Sequence, residues 1–178
     1  MKKQKFNFST KIHLCCCSND KLRPSLNYVH FIDGYVYTSN GYILIKQSLK
    51  LHNIFNSDLL NGKCIHKNAY AKILGYIFAT ATETGIECTT CQDKDVVIFK
   101  YSDNEIKPPD FESVLSADNY SDVANIKLKA EFINILTKSM YLPEGNIEMK
   151  FCGNNKAIKI TALGVDEKLQ MAMIIPIL

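Results

Sequence analysis

Arginine is almost absent from this chain: Arg23 is the one guanidinium among 21 basic residues. Bidentate reading of guanine edges favours arginine, whereas lysine meets phosphate as a point charge, so any contact with DNA is expected to be weak and blind to sequence. The formal net charge of +3 is likewise small for a dedicated nucleic-acid binder. An AT-rich coding sequence, rich in Lys, Asn and Ile codons, explains the same bias without any function. Long apolar runs are missing too. No stretch reaches the roughly 18 consecutive apolar residues of a membrane-spanning helix. The opening "MKKQKFNFSTKIHLCCC" mixes charge among its apolar residues, where a secretory leader carries an unbroken apolar core. A cytoplasmic protein without a membrane partner is expected. An even cysteine set is also lacking: seven are present, three of them adjacent at Cys15, Cys16 and Cys17. A chain of 178 residues has core enough to fold without staples, so reduced thiols are expected. Finally, no G-x-x-x-x-G-K-[ST], G-x-S-x-G or H-E-x-x-H occurs, which argues against an enzyme and against a cofactor.

What the sequence does hold is alternation. Phe6, Phe8, Thr10, Ile12 and Leu14 fall on one side of residues 6–14, with Asn7, Ser9, Lys11 and His13 on the other, the pattern of a half-buried strand. Residues 26–32, 35–39 and 42–46 are β-rich and are separated by Asp33-Gly34 and Asn40-Gly41, two-residue turn signals, which together predict an antiparallel meander. Residues 62–66 lead as a strand into a helix over 67–78, where Tyr70, Ile73, Leu74 and Ile77 recur at helical spacing. "TGIECTTCQD" and "DVVIFKYSD" supply two further strands. Pro108-Pro109, several acids and no long apolar period mark a linker over 104–123. The last third then repeats the order: a strand over 124–129, a helix over 130–140 burying Phe132, Ile135, Leu136 and Met140, and strands over 146–152, 157–163 and 168–177, with Gly153-Asn154-Asn155 as a hairpin loop. The expected class is α+β, built from repeated β-α-β-β-β units with antiparallel sheets and helices on one side. Residues 1–103 are expected to form a domain of two units, the first without its helix, and residues 124–178 a third unit.

Two cysteine groupings invite chemistry. Cys88 and Cys91 form a C-x-x-C, with Cys64 and His66 upstream, four potential zinc ligands. Both groups fall in predicted strands, whose alternation sends Cys88 and Cys91 to opposite faces, so no metal is expected. Cys15 to Cys17 near His13 suggest a nucleophile and base, but no orienting acid or oxyanion donor accompanies them.

Three motifs in order carry a family resemblance. Arg23-Pro24 followed by an apolar strand and "YTSNGYILI" resembles R-P-x-L-x-x-V-x-F and A-T-D-G-H-R-L-A of the bacterial sliding clamp, the β subunit of the replicative polymerase. "PPDFESVL" resembles that family's Y-P-D-[YF]-x-x-V-L, and "AMIIPIL" its M-P-M-R-L ending. In the first motif Gly41 and Leu44 are retained, while Tyr42 stands for histidine and Ile43 for arginine. The resemblance implies a DNA-clamp fold and two functional surfaces. One is a pocket for hydrophobic peptides of replication or repair proteins, between Ser39, Gly41, Tyr42, Ile43 and Leu44 and the C-terminal Met173, Ile175, Pro176 and Ile177. The other is a helix surface facing the backbone of double-stranded DNA, with Lys67, Lys72, Lys127, Lys129 and Lys138 as candidates and Glu131 working against them. Each has a plainer alternative, a core strand in the first case and solvated helix faces in the second. The implied function is a non-enzymatic, clamp-like processivity or partner-binding protein that self-associates if it closes a ring. The alternative is a scaffold of clamp fold that never encircles DNA.

Overall fold

The computed structural model describes residues 11–17, 19–90, 95–102, 106–116, 126–151, 153 and 156–176. Asp33 and Gly34 adopt left-handed backbone, φ 49° and 79°. They close a two-residue hairpin between β1 (Tyr28–Ile32) and β2 (Tyr35–Ser39), with Ile32 opposite Tyr35. The next turn sits one residue later than its Asn-Gly signal suggests. Asn40 N–H donates to the Ile43 carbonyl at 3.2 Å, leaving Gly41 and Tyr42 as the central pair. Gly41, at φ 88°, supplies the positive φ that the first central position needs. The Asn40 side chain is thereby freed to accept the N–H groups of Tyr42 and Ile43. β3 (Ile43–Ser48) follows.

β4 (Cys64–His66) pairs with the other edge of β1 and runs straight into α1 (Lys67–Ile73), whose first turn is capped by His66 Nδ1 accepting the Asn68 N–H. The helix is shorter than its apolar spacing suggests. Gly75 N–H bonds back to the Lys72 carbonyl, and the chain leaves as β5 (Phe78–Ala81), so Ile77 stays 40% exposed and never joins the helical stripe. β5, β6 (Gly85–Thr89) and β7 (Val97–Lys100) form a three-stranded antiparallel sheet. Then come α2 (Phe111–Leu115), α3 (Ala130–Ser139), β8 (Ile147–Phe151), β9 (Ile158–Ala162) and β10 (Gln170–Ile174). The larger sheet is antiparallel and seven-stranded, in the order β4-β1-β2-β3-β10-β9-β8, so the first and last thirds of the chain meet where β3 pairs with β10.

One face of this sheet carries the main core. Val29, Phe31, Val36, Ile45, Ile160 and Ala172 pack with Tyr70 and Ile73 of α1 and with Phe132 and Leu136 of α3, which puts the two longer helices on the same side. Between them lies a 3-10 turn, Ile12–Cys15, with Ile12 and Cys15 fully buried. The expected strand therefore does not reach Leu14; Ile12 is held as a turn by the Leu14 N–H to Lys11 carbonyl bond and by Thr38 Oγ1, which donates to the Ile12 carbonyl at 3.1 Å. Residues 6–10 of that expectation lie outside the described residues. Residues 126–129 are not a strand either. Ile126 and Leu128 pack against the core from a segment that pairs with no described strand, and Ala124 and Asn125 are outside the described residues, as are Asn154 and Asn155.

A buried polar network ties α3 to the sheet. Gln47 of β3 and Gln170 of β10 are register partners, and Gln47 Nε2 donates to Gln170 Oε1 at 2.6 Å and to the Ser139 carbonyl at 3.0 Å. Gln170 in turn accepts the Tyr141 N–H at 2.7 Å and donates to the Tyr141 carbonyl at 3.0 Å. No helix among the described residues is long and apolar enough to cross a membrane.

Candidate functional site

The β3–β10 pairing puts Ile43 opposite Ile174 and Leu44 opposite Met173, and the Ile175 N–H extends the ladder to the Tyr42 carbonyl at 2.8 Å. Because side chains alternate along a strand, Ile43 and Ile174 enter the main core while Leu44 and Met173 point to the other face. There they meet Tyr37 and two residues of α2, Phe111 and Leu115, in a second, smaller apolar cluster. The segment expected to be a linker thus carries a helix. Asp110 caps it by accepting the Ser113 N–H at 3.1 Å. Phe111, 5% exposed, lies flat on Tyr37 with ring centroids 5.2 Å apart and planes 5° from parallel, and 5.6 Å from the His30 ring.

Between the Gly41 turn, the end of β10 and this helix lies a cavity of ≈ 390 Å³, a volume usual for small-ligand sites. Ser39, Gly41, Tyr42, Ile43, Leu44, Met173 and Ile175 all line it, so the two distant segments named from the sequence do converge. Pro176 is buried and does not line it, and Ile177 is outside the described residues. Most of the remaining wall comes from Leu26 and from Pro108, Pro109, Phe111 and Val114. Arg23 stands at the rim. Asp20 holds its guanidinium through contacts of 3.0 and 3.1 Å, and a Cβ on Gly41 would come within 2.9 Å of Arg23 Nη1. Tyr42, 53% exposed, stacks on Phe132 of α3 at 5.7 Å.

On the far side of Phe111 the helix makes polar contacts with the sheet. Glu112 accepts hydrogen bonds from the Tyr37 hydroxyl and, at 2.7 Å, from Lys46 Nζ, which also sits 4.2 Å from the Tyr35 ring centroid. Burial works against the charge on Glu112, yet the bonds from Lys46 and Tyr37 prevail and hold its carboxyl below the usual range. Burial first, and then Glu112, raise the Tyr37 hydroxyl far above its ordinary value, so Tyr37 keeps its proton and donates.

Two solved structures have this arrangement of elements. The chain aligns over 96% of its length with a DNA polymerase sliding clamp from Pseudomonas aeruginosa, solved with ligand, at TM-score 0.56 and 11% identity. It aligns over 94% with a DNA polymerase sliding clamp from Bacillus subtilis, at TM-score 0.52 and 10% identity. The fold is clamp-like. The alignments span 64% and 60% of those chains, less than two thirds of either. No protein-family model and no curated protein matches the sequence.

Within this clamp-like fold the candidate lysines scatter. Lys67 opens α1 and is half-buried, Lys72 is exposed in its last turn, and Lys138 is exposed in the last turn of α3. Lys127 and Lys129 precede α3, and Lys129 Nζ lies 6.0 Å from the Tyr42 ring centroid, beside the cavity. Four of the described cysteines, Cys15, Cys16, Cys64 and Cys88, are buried thiols. Burial pushes the Cys15 and Cys88 thiols up to about 12 and Cys16 well above its ordinary value. Among the described residues no three His, Cys, Asp or Glu side chains gather as a metal site, and Cys91 is not among them. The wall residues Phe111 and Val114 were missed because five residues are too few for a period to show. The available signal was Asp110 as a cap after Pro-Pro, with Phe111, Val114 and Leu115 at helical spacing.

Proposed function

We propose that this chain is a non-enzymatic, clamp-like protein of the cytoplasm that holds short hydrophobic peptides of replication or repair proteins in the cavity beside Tyr42. The observation that carries this reading is the convergence of the Gly41 turn and β10, more than a hundred residues apart, on one largely apolar hollow. An extended peptide would set aliphatic or aromatic anchors against Leu44, Met173 and Val114 while its backbone stayed at the rim. Fluorescence titration with a labelled peptide, Gly-Leu-Gly-Gly-Leu-Phe, tests it. Binding should weaken about tenfold in Tyr42→Ala or Ile175→Ala, the cavity residues that are 53% and 41% exposed in the free chain and that a peptide would cover, a burial worth on the order of 1.5 kcal/mol each. Equal affinity in folded variants would refute the reading.

The second reading, encirclement of DNA, draws on one observation: α1 and α3 share a sheet face and carry exposed Lys72 and Lys138. A ring would require several copies joined edge to edge. Longer retention on closed circular than on linear DNA would support it. Equal retention with steep loss in salt would instead mark simple counterion release.

A further inference from the structure

The cavity owes its outer wall to a helix of five residues, too short to be stable alone. Phe111 and Leu115 seat that helix on one side of the segment. On the other, Glu112 alone bridges it to two strands, accepting from Tyr37 of β2 and Lys46 of β3 through the same oxygen, Oε1. We propose that Glu112 is a latch: by pinning α2 across β2 and β3 it sets the closed position of the pocket wall, and release of a bound peptide requires the latch to open. This rests on the peptide-binding reading only for its second half; the seating of α2 is a property of the free chain.

Several features favour a latch over an incidental surface pair. The acceptor is shared by two donors from neighbouring strands, so one side chain fixes the helix both along and across the sheet. Lys46 is itself held, with 17% of its side chain exposed and its ammonium over Tyr35, so it gives up little freedom on pairing. Glu112 keeps 61% of its side chain exposed, so its removal leaves no buried cavity and the fold stands without it. Phe111 and Glu112 also grip Tyr37 together, one on its ring and one on its hydroxyl.

The test compares wild type, Glu112→Ala and the exchanged pair Lys46→Glu with Glu112→Lys, all as the full chain. Hydrogen exchange is read at the amides of Ser113 and Ser116, whose acceptors lie in this segment, and dissociation of the same Gly-Leu-Gly-Gly-Leu-Phe peptide is read by stopped flow. Glu112→Ala should speed both processes about threefold to fivefold, the scale of a half-exposed ion pair, and lower the melting temperature by at most about 2 to 4 °C; the exchanged pair should recover the share owed to Lys46 but not that owed to Tyr37, since a lysine at 112 cannot accept from that hydroxyl. A merely structural role would lower the melting temperature without speeding peptide release, and exchanging the charges would recover none of the loss. Unchanged amide exchange overturns the latch, as does faster amide exchange with unaltered peptide release. If wild type binds no peptide, the binding proposal fails by itself, and amide exchange alone decides whether Glu112 seats the helix.

Discussion

Gln170 is the residue whose loss should be felt most widely for its size. It is 1% exposed and makes three bonds, of 2.6, 2.7 and 3.0 Å, that join β10, β3 and the chain leaving α3. Gln170→Leu keeps the volume and deletes all three. Gln47 Nε2 retains the Ser139 carbonyl but loses its Gln170 acceptor, while Tyr141, 36% exposed, lets water replace part of what its backbone loses. A buried group left unsatisfied costs about 1 to 3 kcal/mol, so with partial rescue at Tyr141 the total is about 2 to 4 kcal/mol. For a chain of this size that is a fall of roughly 5 to 15 °C in melting temperature. Urea unfolding followed by circular dichroism measures it. Gln47→Leu with Gln170→Leu should cost less than the sum of the single changes by at least about 0.5 kcal/mol, because the second substitution removes a donor already orphaned by the first. A single-variant cost below about 0.5 kcal/mol, or strict additivity, would refute the reasoning.

His52 is 3% exposed, and burial lowers its pKa to about 4, so its folded pKa lies below the unfolded one. Its contribution is therefore complete above the ordinary histidine range and is lost as pH falls from about 6.5 towards 4, at most about 3 kcal/mol; a pH series of urea titrations should show this slope, and His52→Gln should flatten it. Gly41→Ala should cost about 1 to 2 kcal/mol, mostly from backbone forced to φ 88°, since Arg23 at the rim can swing aside; melting curves measure the cost, and a neutral result would mean that the turn relaxes. Thiol labelling read by mass spectrometry should modify Cys17 before Cys15, Cys16 and Cys88, which are all buried, and early labelling of Cys15 would contradict its position under α3.

The meander, the three strands that follow α3 and the burial of Phe132 and Leu136 were legible because each rests on a local period or a turn residue. What was lost followed from competition between signals. Ile77 continued a helical spacing that Gly75 had already ended, and the false extension ran into the first residue of β5, Phe78. Leu14 completed an alternation that the tertiary packing of Ile12 and Cys15 between α1 and α3 converts into a turn. For the site, motif resemblance singled out Ser39 to Leu44 and Met173 to Leu178, and strand pairing brings Ser39 to Leu44 beside Met173 and Ile175, while Pro176 does not line the cavity and Ile177 and Leu178 lie outside the described residues. The wall from α2 was harder to see, since Pro-Pro and acids speak of a loop and the signals for the helix are short: the cap at Asp110 and the spacing of Phe111, Val114 and Leu115.

The junction of β3 with β10 also has a consequence in time. Gln47 and Gln170 are 123 positions apart, so the centre of the large sheet is its most non-local contact, and such contacts form late because the loop between them must first be closed. While the chain is being synthesised, β1 to β3 present an open strand edge next to the future cavity, the kind of surface on which nascent chains pair wrongly or recruit chaperones. Once β10 docks, that edge closes and the hollow beside Tyr42 is created in the same step. Any ligand of the hollow thus reports on one event, the docking of β10: it distinguishes chains in which the β3–β10 pair has formed from those in which it has not.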